Sequence, residues 1–155
     1  MSGIIVYHGS NMSVPHPRIL LNGYYKDFGW GFYCTNIKKQ AIRWAISKKG
    51  KTIVNCYSYE KSSEINLLKF SKMTDEWLDF VARCRSGIEH NYDIVEGPMA
   101  DDKIWDYVEG FIAGRFSRSA FWELAKFKHP THQIVFCNEK ALKTIRYTGC
   151  QEFKI

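Results

Sequence analysis

Asp27-Phe28-Gly29-Trp30-Gly31-Phe32-Tyr33-Cys34-Thr35 is the stretch on which the reading of the fold turns. Two glycines precede an aromatic and apolar run. Phe32 to Thr35 therefore reads as a strand, and the glycines mark a loop that passes close to a neighbour. Trp30, Phe32 and Tyr33 offer flat faces to a planar ring. No G-x-G-x-x-G opens a helix here and no phosphate-binding P-loop follows, so neither common nucleotide fingerprint is present. Upstream, Ile4-Ile5-Val6-Tyr7 is a β-branched run that reads as a strand ending at His8-Gly9-Ser10. Pro15 and Pro17 hold the connecting segment extended. Downstream, Ile37 to Ile46 has helical spacing, with Ala41, Trp44 and Ala45 on one face.

The remainder alternates irregularly between strands and helices. Thr52 to Tyr59, Ile65 to Leu68, Tyr92 to Val95 and Gln133 to Phe136 read as strands, with Thr144 to Tyr147 and Glu152 to Ile155 closing the sheet. Thr74 is placed to cap one helix, Asp101 or Asp102 a second, Ser117 or Ser119 a third, and Asn138 a single turn. In the third helix Ala120, Leu124 and Phe127 fall at helical spacing. Strands outnumber helices without regular alternation, which predicts an α+β fold with a mixed or antiparallel sheet. No repeat or linker divides the chain, so residues 1–155 read as one domain.

The formal net charge is +6 with Lys and Arg spread along the chain, a balance that can steer an anionic ligand. The five cysteines are odd in number and form no CxxC pair, which argues against a zinc site or a disulfide framework and for a reducing compartment. No basic segment followed by an apolar run opens the sequence, and no apolar stretch reaches the roughly 20 residues of a membrane span. A cytoplasmic protein with neither a metal nor a membrane partner is the expectation.

Three polar positions tied to strands can carry chemistry. His8 ends an apolar strand, and Gly9 after it lets a ligand reach the main chain. The Gly29 to Thr35 segment brings aromatic faces. Gln133 opens a late apolar strand. Taken together, strand–His8-Gly9-Ser10, then Gly31-Phe32-Tyr33-x-Thr35, then a helix with Ala41 and Trp44, then a strand opened by Gln133, the pattern resembles the His-Tyr-Glu branch of the ADP-ribosyltransferase superfamily. That branch includes diphtheria toxin and the poly(ADP-ribose) polymerases. Tyr92-Asp93-Ile94-Val95-Glu96-Gly97-Pro98 and Ala100-Asp101-Asp102 extend the likeness to a small bacterial group within it.

The resemblance implies a split mixed or antiparallel sheet with flanking helices, and NAD+ as co-substrate without a metal. It implies that His8 contacts a ribose hydroxyl, that the Gly9 backbone pairs with the nicotinamide carboxamide, and that Ser10 stands beside it as a further donor. Tyr33 would stack on the nicotinamide ring, with Trp44 as the second aromatic and Ala41 as the small residue against the ring. Phe32 and Thr35, beside Tyr33 in the same segment, would belong to the NAD+-binding set, and Asp27 to Trp30 would cover the donor. The branch has glutamate where this sequence has Gln133. The amide oxygen can still accept the ribose hydroxyl, but the charge is missing, so cation stabilisation weakens. Glu123 and Asp101 are substitute acids by residue type, and a slip of one residue would bring His132 into the site instead. Replacing Gln133 by glutamate is expected to raise cleavage by restoring the charge. The implied activity is mono-ADP-ribosylation of a protein or nucleic acid, as the toxin of a bacterial toxin–antitoxin pair with a cognate antitoxin. The alternatives are an NAD glycohydrolase or a catalytically weak NAD-binding module.

Overall fold

The computed structural model describes residues 3–19, 26–100, 102–127 and 130–154, with the backbone alone for Asp102 and Phe127. Strand β1 spans Ile4–Ser10 and β2 Phe32–Cys34, and helix α1 (Lys38–Ile46) leads into β3 (Thr52–Tyr59) and β4 (Leu67–Lys69). Helix α2 (Asp75–Arg85), β5 (Ile94–Gly97), α3 (Asp102–Ile112) and α4 (Arg118–Leu124) follow. A 3-10 turn (Ala125–Phe127), β6 (Gln133–Phe136), the short helix α5 (Glu139–Leu142) and β7 (Ile145–Phe153) complete the order. The fold is α+β.

Two sheets form. One is antiparallel in the order β1-β3-β7, and the other runs β2-β6-β5-β4 with only the β4–β5 pair parallel. A bridge between Tyr7 and Thr35 joins them: Tyr7 N donates to Thr35 O at 2.7 Å and Thr35 N to Tyr7 O at 2.9 Å.

The second sheet is covered on both faces, which explains why Gln133-Ile134-Val135-Phe136 is a continuous buried run. Ile134 and Phe136 pack with Val6, Phe32, Tyr57 and Ile94 in a core between the sheets. Val135 and Val95 face the other way, into a core with Trp77, Val81 and Val108 of α2 and α3 and Phe121 of α4. This alternation fixes Gln133, two residues before Val135, on the helical side.

Helix starts follow local chemistry. Thr74 accepts from Trp77 N at 3.2 Å, Ser117 from Ala120 N and Asn138 from Ala141 N. Between the two serines considered for α4, Ser117 is the cap. The expected caps of α3, Asp101 and the Asp102 side chain, and the expected strand end at Ile155, lie outside the described residues, as does the Phe127 side chain.

Several boundaries differ from expectation. Strand β1 continues through His8-Gly9-Ser10, because Asn55, Val54 and Ile53 extend its partner ladder. Strand β7 is unbroken where two pieces are expected; its register shifts opposite Cys56 and Tyr57, and Thr148 takes up the extra residue as a bulge. With Leu67 paired in parallel with Ile94, β4 and β5 each start two residues later than expected. Leu124 is exposed, because Phe121 of α4 and Ala125 of the following 3-10 turn are the residues that enter the core.

Candidate functional site

A cavity of about 410 Å³ opens where β1, α1, the residues before β2, the β5–α3 connection and the start of β6 converge. His8, Gly9, Tyr33, Trp44 and Gln133 all line it, brought together from four elements. A neighbouring cleft of about 500 Å³ shares His8, Lys26, Tyr33 and Lys48 with it and continues past Ser10, Phe32 and Arg18. Thr35 and Ala41 are not on either wall. Thr35 is fully buried at the β2–α1 corner, where its Oγ1 accepts from Ile37 N at 3.0 Å. Ala41 is buried in the packing of α1 on β1.

The His8 ring is fixed by the strand beside it. Its Nδ1 lies 2.7 Å from the carbonyl oxygen of Tyr33. A carbonyl only accepts, so Nδ1 carries the hydrogen and Nε2 is left as an acceptor. Phe32 stacks at 4.3 Å between centroids and holds the ring plane. Burial pushes the His8 pKa down to about 4 against the hydrogen bond to Tyr33, and Lys48 and Lys26 push it further. The imidazole is neutral at pH 7.

Gly9 serves two neighbours. A Cβ there would overlap the Ala41 carbonyl oxygen, so glycine is required for α1 to lie on β1. Its peptide groups face elsewhere. Tyr7 gives its N–H and C=O to Thr35 on the side away from β3. Antiparallel ladders alternate, so Gly9, two residues on, turns its own pair toward that same side, where the cavity opens.

Tyr33 commits its hydroxyl to the loop and its ring to the cavity. The hydroxyl donates to Gly29 O at 2.5 Å and accepts from Phe28 N at 3.1 Å. Gly29 makes this turn with φ of 82°, a left-handed conformation. Burial, reinforced by Asp27, raises the Tyr33 pKa well above the ordinary phenol value, so the hydroxyl stays protonated. The Lys26 ammonium sits 5.0 Å above the ring centroid, which marks that face as attractive to cations. Burial and the nearby Lys48 lower the Lys26 pKa.

Gln133 is 2% exposed, and its Nε2 donates to Asp27 Oδ2 at 3.2 Å and to Pro98 O at 3.4 Å. Both partners only accept, which fixes the amide's orientation and leaves Oε1 free to take a hydroxyl hydrogen. Asp27 is itself buried. Its Oδ1 accepts from Arg85 Nη2 at 2.6 Å and Nε at 2.9 Å, and its Oδ2 from Ala100 N at 2.7 Å. Arg85 reaches Glu109 at 3.0 Å and stacks 3.6 Å from the Trp105 ring centroid.

The alternatives to Gln133 lie elsewhere. His132 accepts at Nδ1 from Asn36 N and donates from Nε2 to Glu96 at 2.8 Å, while Gln40 of α1 grips its main-chain N–H and C=O. Its ring lines neither cavity nor cleft. Glu123 is exposed on α4 and pairs with Lys126. Asp101 lies outside the described residues. Trp105 and Lys48 of the wall, and Arg85 behind Asp27, were not legible as site residues: they carry no local motif and come together through tertiary contacts.

The pattern described as "Protein of unknown function (DUF3990)" matches residues 4–147. The chain belongs to this family. The DUF3990 match runs from β1 into β7 and includes every residue placed on the cavity wall. No curated protein and no solved structure matches the chain.

Proposed function

We propose that this DUF3990 chain is a mono-ADP-ribosyltransferase: it binds NAD+, breaks the bond between ribose and nicotinamide, and passes ADP-ribose to a macromolecular acceptor. The observation that carries this reading is the convergence of a neutral His8, the outward peptide of Gly9, the rings of Tyr33 and Trp44 and the Gln133 amide on one cavity. On this reading the two sheets meeting at Tyr7 and Thr35 are the split sheet of an ADP-ribosyltransferase-like fold.

Each group has a part. The carboxamide of nicotinamide pairs with Gly9. The pyridinium takes the cation-attracting face of Tyr33, displacing the Lys26 ammonium, with Trp44 on the cavity wall beside it. His8 Nε2 and Gln133 Oε1 accept ribose hydroxyls. The diphosphate lies toward Lys26, Lys48 and Arg18, where the cavity meets the adjoining cleft. When the glycosidic bond breaks, its electron pair leaves with nicotinamide, which becomes neutral. The ribose carbon is left cationic until the acceptor's nucleophile bonds to it and loses a proton. Oriented dipoles on the cavity wall stabilise that cation.

The test is nicotinamide release from NAD+ by the pure protein, with and without cell lysate. Release that rises with lysate, with ADP-ribose fixed to one component, is the expected result. Lysate-independent release identifies a glycohydrolase. NAD+ binding without release identifies a binding module, the reading that the uncharged Gln133 favours.

A further inference from the structure

We infer that Asp27 is the acid of the site, a positioning residue that acts through Gln133. Its Oδ2 accepts from Gln133 Nε2, turning Oε1 toward the cavity and drawing electron density onto that oxygen. The inference rests on the proposed NAD+ chemistry and assigns the charge that a glutamate at position 133 would have supplied. Among the described residues Asp27 is the acid on the wall of the cavity, and the adjoining cleft has none.

The carboxylate is built in rather than exposed by chance. Arg85 holds one oxygen with two bonds, and the Ala100 N–H holds the other beside Gln133. Arg85 is shared with Glu109, so the cluster of two acids and one base keeps a formal negative charge. A hydrogen bond from an amide N–H to a carboxylate is charge-assisted. It polarises the amide, making Oε1 a stronger acceptor toward a ribose hydroxyl. Glu96 cannot serve this purpose because it is committed to His132.

The test is NAD+ affinity, by calorimetry, of the wild type, Asp27→Asn, Gln133→Met and the double variant. Each single change is expected to weaken binding about tenfold, and the double variant no further, because Asp27 acts through the amide that Gln133→Met removes. Losses that multiply to about a hundredfold, or an Asp27→Asn protein that binds like the wild type, overturn the inference. A wild type that does not bind NAD+ overturns the functional reading first, and the inference with it. Should Asp27→Asn fail to fold, hydrogen exchange of the wild-type Gln133 side-chain amide decides, its resonance assigned by loss in Gln133→Met. Slow exchange relative to the exposed Gln151 amide is expected, and equal exchange overturns the inference.

Discussion

His8 Nδ1 donates to the backbone carbonyl of Tyr33 across 2.7 Å, so the imidazole is positioned by the residue whose own ring lines the same cavity. The bond also determines how the protein responds to acid. An imidazole held neutral by burial, with its pKa lowered from 6.5 to about 4, gives stability that is present above 6.5 and lost as pH falls toward 4. Denaturant unfolding near pH 7.5 and near pH 4.5 should show the wild type losing about 2.5 kcal/mol more than His8→Gln. Equal losses in the two proteins would mean that His8 does not titrate below its ordinary value. His8→Ala should remove most NAD+ turnover while leaving the protein folded.

Tyr33 separates ring from hydroxyl. Among the described residues, its oxygen bonds to Phe28 and Gly29 of the preceding loop. Tyr33→Phe should therefore cost about 1–2 kcal/mol of stability and keep turnover within about tenfold. Tyr33→Ala removes the ring from the cavity and should abolish turnover. Steady-state nicotinamide release with parallel thermal melts checks both; a Phe variant as inactive as the Ala variant would assign chemistry to the hydroxyl.

What could be read from sequence was what local pattern dictates. Thr74, Ser117 and Asn138 cap because their side chains reach an N–H three residues ahead. His8 with Gly9, Tyr33 after its glycines and Gln133 at a strand start stand out in the local sequence, whereas Trp44 joins them only through the family resemblance. Asp27 was visible only as the start of a loop. Its role needs Arg85, 58 residues away, and Gln133, 106 away, and no local periodicity reports such contacts. The continuity of β7 was hidden for a related reason. Residues 148–151 read as a gap between two strands, while the ladder to β3 pairs Gly149, Cys150 and Gln151 and leaves Thr148 alone as the bulge.

Gly9 carries a structural demand distinct from any ligand. Gly9→Ala places a methyl group against the Ala41 carbonyl oxygen and the Ala45 backbone nitrogen, neither of which is a flexible side chain. The helix must move off β1, at a cost of about 1–3 kcal/mol or more. A lowered melting temperature is expected, together with weaker NAD+ binding because Trp44 rides on the same helix. An unchanged melting temperature would show that α1 does not pack this closely.

Gln133→Glu reverses between the two levels of reading. From sequence alone it restores a charge and raises cleavage. In the structure the new carboxylate would face Asp27 Oδ2, now 3.2 Å from Nε2, and the Pro98 carbonyl. Two carboxylates that close cannot both ionise, so the pair retains a proton near neutral pH and no extra charge reaches the ribose. Gln133→Glu should therefore melt earlier and release nicotinamide more slowly than the wild type at pH 7, gaining rate as pH rises and the shared proton leaves. The exchanged pair, Asp27→Asn with Gln133→Glu, again opposes an amide and a carboxylate and should regain neutral-pH rate over Gln133→Glu, while staying less stable than the wild type because Ala100 N–H loses its acceptor and Arg85 its buried charge partner. Nicotinamide release from about pH 6 to 9, measured for both proteins, decides the matter. A single Gln133→Glu variant faster than the wild type at pH 7 would mean that Asp27 places no constraint on position 133.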